Sequence, residues 1–253
     1  MVLLDKTDAL LPSAQSTLSR VSAVLIDLDG TLMDTVADLA QAVGLMRDEL
    51  GLAPLAAARV SAFVGKGSDV LVHRALTNRM DGQAQAALFE RGRAAFYRHY
   101  HAVNGQQARV FDGVPEALAR LRIWGLPLAC VTNKPRPFTL PLLERVGLSA
   151  CFDVVVCGDE VPQAKPHPAI VFEASRRLGV ATGQCILFGD SINDAQAAAR
   201  AGCLCVLVQT GYNEGEPVSA LKGTQGVWGI YADLASAVDA LAPTLAAGKQ
   251  EDA

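Results

Sequence analysis

Val21-Ser22-Ala23-Val24-Leu25-Ile26-Asp27-Leu28-Asp29-Gly30-Thr31-Leu32 is the stretch whose reading decides the fold. A short run of mostly branched apolar residues, bounded by a turn signal, reads as a buried strand over 21–28. A strand apolar on both faces belongs in a parallel sheet covered by helices. Strict alternation puts Asp27 and Asp29 on one face, and Gly30 bends the chain there. Two acids closing an apolar strand are an odd choice for a core, so they mark the strand end as a candidate site.

Outward from that strand the chain alternates strands and helices, with one interruption. Thr35 and Asp38 have capping-box spacing ahead of a helix that runs to about Leu50, before Gly51. From about 54 to 109 no strand-like run occurs. This Ala-, Arg- and Gln-rich stretch reads as helices broken at Gly65-Lys66-Gly67 and at Asp81-Gly82. After Asp112-Gly113 the alternation returns. Helices are expected over 115–124, 137–146, 168–178, 192–201 and 234–241. Strands are expected over 126–132, 152–157, 185–189, 204–208 and 227–231. Several of these helices have Pro in the first turn or Gly just past the end.

The fold class is therefore α/β: a doubly wound parallel sheet with a Rossmann-like core and an inserted α-helical domain. The expected division is an N-terminal extension over 1–20, a core over 21–33 and 112–242, a helical insert over 34–111, and a tail over 243–253. Right-handed crossovers bring the C-terminal strand ends to one edge, where such folds bind ligands.

Composition limits the function. The 253 residues carry a net charge of −4, with 51% hydrophobic and 19% charged residues. That balance excludes a disordered chain. It also supplies no large basic field for nucleic acid or an anionic membrane surface. No apolar run is long enough to span a bilayer. The first residues, with Asp5 and Asp8, lack the basic start of a secretory signal. The six cysteines form no Cys-x-x-Cys pair and mostly sit in apolar runs, so they read as buried free thiols of a cytoplasmic protein. No nucleic acid and no membrane partner is expected, and the chain is expected to be a monomer or homodimer.

The strand ends carry the chemistry. The first delivers Asp27 and Asp29, the second Thr132 and Asn133, and the fourth Asp190, with Asp194 just after it. Lys165, before Pro166, follows the third. The set suits phosphoryl transfer through a covalent aspartyl-phosphate. One carboxylate attacks phosphorus while the other moves a proton. Nucleophile and phosphoryl group are both anionic, so a divalent metal and a cation must relieve the repulsion. Asp190 offers a hard oxygen for Mg²⁺, Lys165 a positive charge, and Thr132 a hydrogen bond to a phosphoryl oxygen.

This arrangement resembles the haloacid dehalogenase superfamily over about residues 21–240. Asp27–Leu32 (DLDGTL) is similar to its first motif, Thr132 to its second, Lys165 to its third, and Gly189–Ala195 (GDSINDA) to its fourth. The resemblance implies that Asp27 is the nucleophile and that Asp29 is the general acid and base. It further implies that Asp27, Asp190 and the Asp29 backbone carbonyl hold Mg²⁺. Asp194 would orient the lysine or reach the metal through water, and residues 34–111 would form the helical cap. Having Asp29 sets the chain apart from the superfamily's metal-free dehalogenases.

Gly211–Pro217 (GYNEGEP), Phe63–Leu76 (FVGKGSDVLVHRAL) and Val131–Phe138 (VTNKPRPF) resemble segments of the phosphoglycolate phosphatases. That resemblance implies hydrolysis of 2-phosphoglycolate, a small phosphorylated substrate, with Lys66 on a cap loop facing the substrate carboxylate and Asn133 beside the phosphate. Gln163-Ala164 stand where relatives often carry basic residues. Three alternatives stay open at this point: a phosphatase of another small phosphomonoester, a sugar-phosphate mutase, and a receiver-like switch that accepts phosphate without turnover.

Overall fold

The computed structural model describes residues 18–245. In chain order the strands are β1 (Ala23–Ile26), β2 (Met33–Asp34), β3 (Arg109–Val110), β4 (Leu128–Thr132), β5 (Val154–Cys157), β6 (Cys185–Gly189), β7 (Leu204–Val208) and β8 (Val227–Tyr231). The helices are α1 (Val36–Glu49), α2 (Ala57–Phe63), α3 (Ser68–Thr77), α4 (Ala86–Val103), α5 (Val114–Ile123), α6 (Arg136–Arg145), α7 (Ala169–Leu178), α8 (Ile192–Ala201) and α9 (Leu234–Leu245).

The parallel sheet has the order β5-β4-β1-β6-β7-β8. β1 is central, with Leu25 beside Ala129 of β4 and Leu187 of β6. Alternation sends successive side chains to opposite faces. Val24, Ile26, Cys130 and Phe188 pack with Leu118, Leu142 and Val238 on one face. Ala23, Leu25, Val131 and Leu187 pack with Ile170 of α7 and Ala198 of α8 on the other. A sheet covered on both sides is the doubly wound arrangement that the apolar runs predict. None of the described cysteines is in a disulfide, and all except the half-buried Cys151 are buried. Among the described residues no helix is long and apolar enough to cross a membrane.

The helices α1 to α4 form a separate bundle inserted after β1. Its core contains Leu39, Val43, Met46, Phe63, Leu71, Phe96 and Tyr100. Phe138 of α6 enters that core, its ring centroid 4.7 Å from that of Tyr100, so the bundle is anchored on the helix that follows β4. The two crossings into and out of the bundle pair as the antiparallel strands β2 and β3, with Met33 opposite Val110. The alternation pattern does not reveal strands of two residues.

Two expectations change. Thr35 does not cap α1 with its side chain, and its hydroxyl is bonded to Asp29 instead. Asp38, expected to complete a capping box, is fully buried and accepts hydrogen bonds from the backbone N–H groups of Gly105, Gln107 and Ala108 at 2.7, 2.8 and 3.1 Å. The returning chain brings three backbone donors to this one carboxylate. At the C-terminus α9 continues through Pro243 to Leu245, past the expected boundary at 242, because Leu245 falls on the same buried face as Leu241 and Val238. At the other end Leu18 is buried in the core. Residues 1–17 of the expected extension and 246–253 of the expected tail lie outside the described residues.

Replacing Asp38 with Ala leaves three N–H groups without their acceptor. It is expected to lower stability by about 3 kcal/mol, as measured by urea unfolding. A loss below about 1 kcal/mol would show that this carboxylate does not tie the two crossings together.

Candidate active site

The Asp27 backbone stays in the sheet for one residue past β1, its N–H donating to the Phe188 carbonyl at 2.9 Å. Its carboxylate accepts from the Leu28 N–H at 2.7 Å and pairs with the Lys165 ammonium at 2.8 Å. Lys165 also donates to Asp194 at 2.7 Å and to the Val131 carbonyl at 2.9 Å. Each of its three protons therefore has an acceptor. Asp194 stands in the first turn of α8, and its second oxygen accepts from the Ser191 hydroxyl at 2.6 Å and the Ser191 N–H at 3.1 Å, closing a capping box.

Asp190 follows β6 directly. It accepts from the Thr31 hydroxyl at 3.1 Å and from the Tyr212 N–H at 2.9 Å. Gly30, at φ +89°, and Gly211 both press against it. A Cβ on Gly30 would come within 2.6 Å of the Asp190 carboxylate, and one on Gly211 would overlap it outright. The glycine in DLDGTL is thus required by backbone conformation and by the neighbouring acid together.

Asp29 faces the bundle side. Lys134 grips both of its oxygens, at 2.8 and 3.0 Å, and the Thr35 hydroxyl donates to one of them at 2.6 Å. Thr132 is buried at the end of β4 and accepts from the Lys134 N–H at 3.1 Å, which leaves its own proton free to donate. The Asn133 amide is used on backbone: it donates to the carbonyls of Gly65 and Lys165 at 2.9 and 2.8 Å and accepts from the Lys165 N–H at 2.8 Å. It thereby fixes Lys165 and seats the Gly65 turn of the bundle on the sheet. Lys66 is engaged with Glu214 at 3.1 Å, and Arg74 of α3 reaches the same carboxylate at 2.6 Å. The sequence reading leaves Lys134 unassigned, although it follows Thr132-Asn133 directly at a strand end. Its bond to Asp29 spans 105 positions, which no spacing rule covers.

Burial dominates the electrostatics. It pushes the Asp27 carboxyl up to about 7; Lys165 opposes the rise and the Asp194 charge adds to it. Burial raises Asp190 well above the carboxylate range, and the Asp194 and Asp27 charges act in the same direction. Burial alone would lower the Lys165 ammonium, but Asp194 and Asp27 outweigh it and hold the pKa above its usual value. For Lys134, too, burial pulls down and Asp29 more than restores the charged form. Oxygens of Asp27, Asp190 and Asp194 lie within 4.8 Å of one another. Three buried carboxyls with one ammonium among them leave room for two further positive charges. Hard oxygen donors in such a deficit fit a divalent cation.

These groups share a cleft of about 540 Å³ between sheet edge and bundle, lined by Asp27, Asp29, Thr132, Lys134, Asp190 and Ser68 among others. Of the site residues expected from sequence, Asp27, Asp29, Thr132, Asn133 and Asp190 line the cleft, and Lys165 and Asp194 stand behind Asp27. Lys66 is not among the residues that line it.

Comparison with known proteins gives the same picture. A family model for haloacid dehalogenase-like hydrolases matches residues 21–202. The chain is 43% identical over 201 residues to a phosphoglycolate phosphatase of Thiobacillus denitrificans, a match that covers 79% of this chain and 88% of that protein. It is 44% identical, with the same coverage, to a phosphoglycolate phosphatase of Nitrosospira multiformis. A crystal structure of a predicted phosphoglycolate phosphatase from Haemophilus somnus superimposes with a TM-score of 0.79 at 29% identity, covering 87% of this chain and 98% of that one. The buried acids at the ends of β1 and β6, the parallel sheet that carries them and the match along most of its length place this chain in the haloacid dehalogenase-like hydrolase family.

Proposed function

We propose that the chain is a Mg²⁺-dependent phosphomonoesterase that hydrolyses 2-phosphoglycolate to glycolate and inorganic phosphate in the cytoplasm. The observation that carries this reading is the placement of Asp27. Its carboxylate stands at the central strand end, held by Lys165, in a cleft that also presents the Thr132 hydroxyl and a second acid, Asp29. The glycolate assignment draws on relatives of that name at 43% and 44% identity.

The sequence of events follows from these groups. The Asp27 oxygen attacks phosphorus, the ester P–O bond breaks, and the leaving alkoxide takes a proton from Asp29. Water then attacks the aspartyl-phosphate, Asp29 accepts its proton, and the bond from Asp27 to phosphorus breaks to release phosphate. Thr132 donates to a phosphoryl oxygen, and Lys165 offsets the charge that develops there. Lys134 and Thr35 hold the Asp29 carboxyl at the mouth of the cleft. We assign Asp27, Asp190 and the Asp29 backbone carbonyl as metal holders, with Asp194 beside them. Bound Mg²⁺ supplies charge compensation at the phosphoryl oxygens. Residues 34–111 act as a cap that excludes bulk water from the first step.

With Mg²⁺ the purified chain is expected to release phosphate from 2-phosphoglycolate over many turnovers, and EDTA should abolish the release. An Asp27→Asn protein should remain folded and lose kcat by about 10⁴-fold or more. Normal turnover by that variant, or stoichiometric labelling of the wild type without release, would overturn the reading.

The role given to Lys165 has a separate check. In EDTA, Lys165→Met should cost about 3–5 kcal/mol at pH 8, because it strands two buried carboxylates. The cost should shrink at pH 5. Asp27, titrating at about 7, is then protonated and no longer needs a counter-charge. An equal cost at both pH values, measured by urea unfolding, would argue that the lysine is held for packing alone.

A further inference from the structure

We propose that the N-terminal turn of α3 at Ser68 is the subsite that receives the carboxylate of the substrate. The inference rests on the 2-phosphoglycolate reading above and adds a residue and a geometry to it.

Four observations support it. First, α3 is a ten-residue helix whose N-cap, Gly67, offers no side chain to its first turn. The first capping bond of that turn is the Leu71 N–H to the Gly67 carbonyl at 3.1 Å. The N–H groups of Ser68, Asp69 and Val70 have no acceptor among the described residues. Free N–H groups at a helix start, with the positive end of the helix dipole behind them, attract an anion.

Second, Ser68 is 7% exposed, lines the cleft, and makes no hydrogen bond with any described residue. Its hydroxyl is not one of the buried polar atoms that lack a partner, so what remains exposed of this residue opens on the cleft, where a bound group can reach it. The one acid in the same turn, Asp69, is turned toward Arg93, which binds it at 2.9 Å, so its charge is already answered away from the turn.

Third, this turn is fastened to the catalytic edge of the sheet. Asn133 donates to the Gly65 carbonyl at 2.9 Å, and a Cβ on Gly67 would stand 3.0 Å from the Asn133 carbonyl. The helix start is therefore fixed against the residue next to Thr132. A substrate with one methylene between its ester oxygen and its carboxylate needs its two anionic ends bound close together. Leu39, Val64 and Leu71 line the same cleft and offer apolar contact to that methylene.

Fourth, the cations nearby are occupied. Lys66, the residue that sequence resemblance offers for the carboxylate, is paired with Glu214, as is Arg74. Lys134 lines the cleft but grips Asp29. Neutral donors at the α3 start are what the structure leaves open for a second anionic group.

The test compares 2-phosphoglycolate with ethyl phosphate, which has the phosphoester but no carboxylate, in the full chain with Mg²⁺. The readout is the ratio of the two kcat/KM values. Ser68→Ala should lower the ratio about tenfold, chiefly through KM for 2-phosphoglycolate, by removing a hydrogen bond to a charged group. Ser68→Asp should lower it about 100-fold. An acid in the first turn suits the helix, so the second variant separates repulsion of the substrate from loss of the fold. If the wild type shows no preference for 2-phosphoglycolate, the glycolate reading itself fails. If the wild type has that preference and both variants keep it, the subsite is overturned while the function stands. A ratio that stays constant while both substrates slow equally would likewise overturn it, since that is the mark of a structural role.

Discussion

The Lys165 ammonium is the interaction on which the rest of this structure depends. It lies at the C-terminal edge of the sheet with its three protons directed to Asp27, Asp194 and the Val131 carbonyl. These acceptors come from the end of β1, the first turn of α8 and the end of β4. One buried cation thus ties three neighbouring segments at the place where the chain must tolerate carboxylates. A buried pair of this kind adds little net stability, because desolvation consumes most of the attraction. What it fixes is position: the Asp27 oxygen that would meet phosphorus is held by a donor that cannot move without stranding a second acid.

Topology explains why those acids meet. β1 is flanked by β4 and β6, which are reached from it by crossovers elsewhere in the chain, so the loops at its end leave a cleft. The bundle is inserted at this point and closes over it. Its grip is made of small, specific contacts: Phe138 in the bundle core, Asn133 on Gly65, and Glu214 against Lys66 and Arg74. Glu214 and its neighbour Asn213 both adopt positive φ, at 55° and 34°, in the loop after β7. Strain of that kind persists where surrounding contacts over-determine the backbone. Here the Asn213 amide accepts from the Ile192 N–H at 2.9 Å, while Glu214 reaches the bundle. The GYNEGEP loop is therefore a joint between the two halves.

The sheet and its strand ends were legible in the sequence because both rest on local signals. Branched apolar runs, Gly stops and the DLDGTL and GDSINDA turns each carry their own reading within a dozen residues. What was not legible depends on how the bundle sits on the sheet. Thr35 has the spacing of a helix cap and instead donates to Asp29. Lys134 carries no assignment from the sequence, yet it is buried against that same acid. Lys66 has the charge expected of an anion receptor, but it meets Glu214 from the far side of the chain. For Lys134 and Lys66 a local propensity lost to a contact between segments far apart in the sequence, which no periodicity records. For Thr35 it lost to an acid only six positions back.

That arrangement also constrains how an anion is held. The chain is acidic overall, with a net charge of −4, and the cleft concentrates acids further. The cations near it are paired: Lys165 with Asp27 and Asp194, Lys134 with Asp29, and Lys66 and Arg74 with Glu214. Attraction for a phosphoryl group cannot come from a free basic side chain here. It has to follow compensation of the Asp27, Asp190 and Asp194 cluster, and then rely on oriented neutral donors such as the Thr132 hydroxyl. Such donors stabilise charge only where water is excluded and they need no reorganisation. A cleft built this way binds an anion well only when the bundle is seated on the sheet, and the same contacts that seat it also fix Lys165 and Asp29.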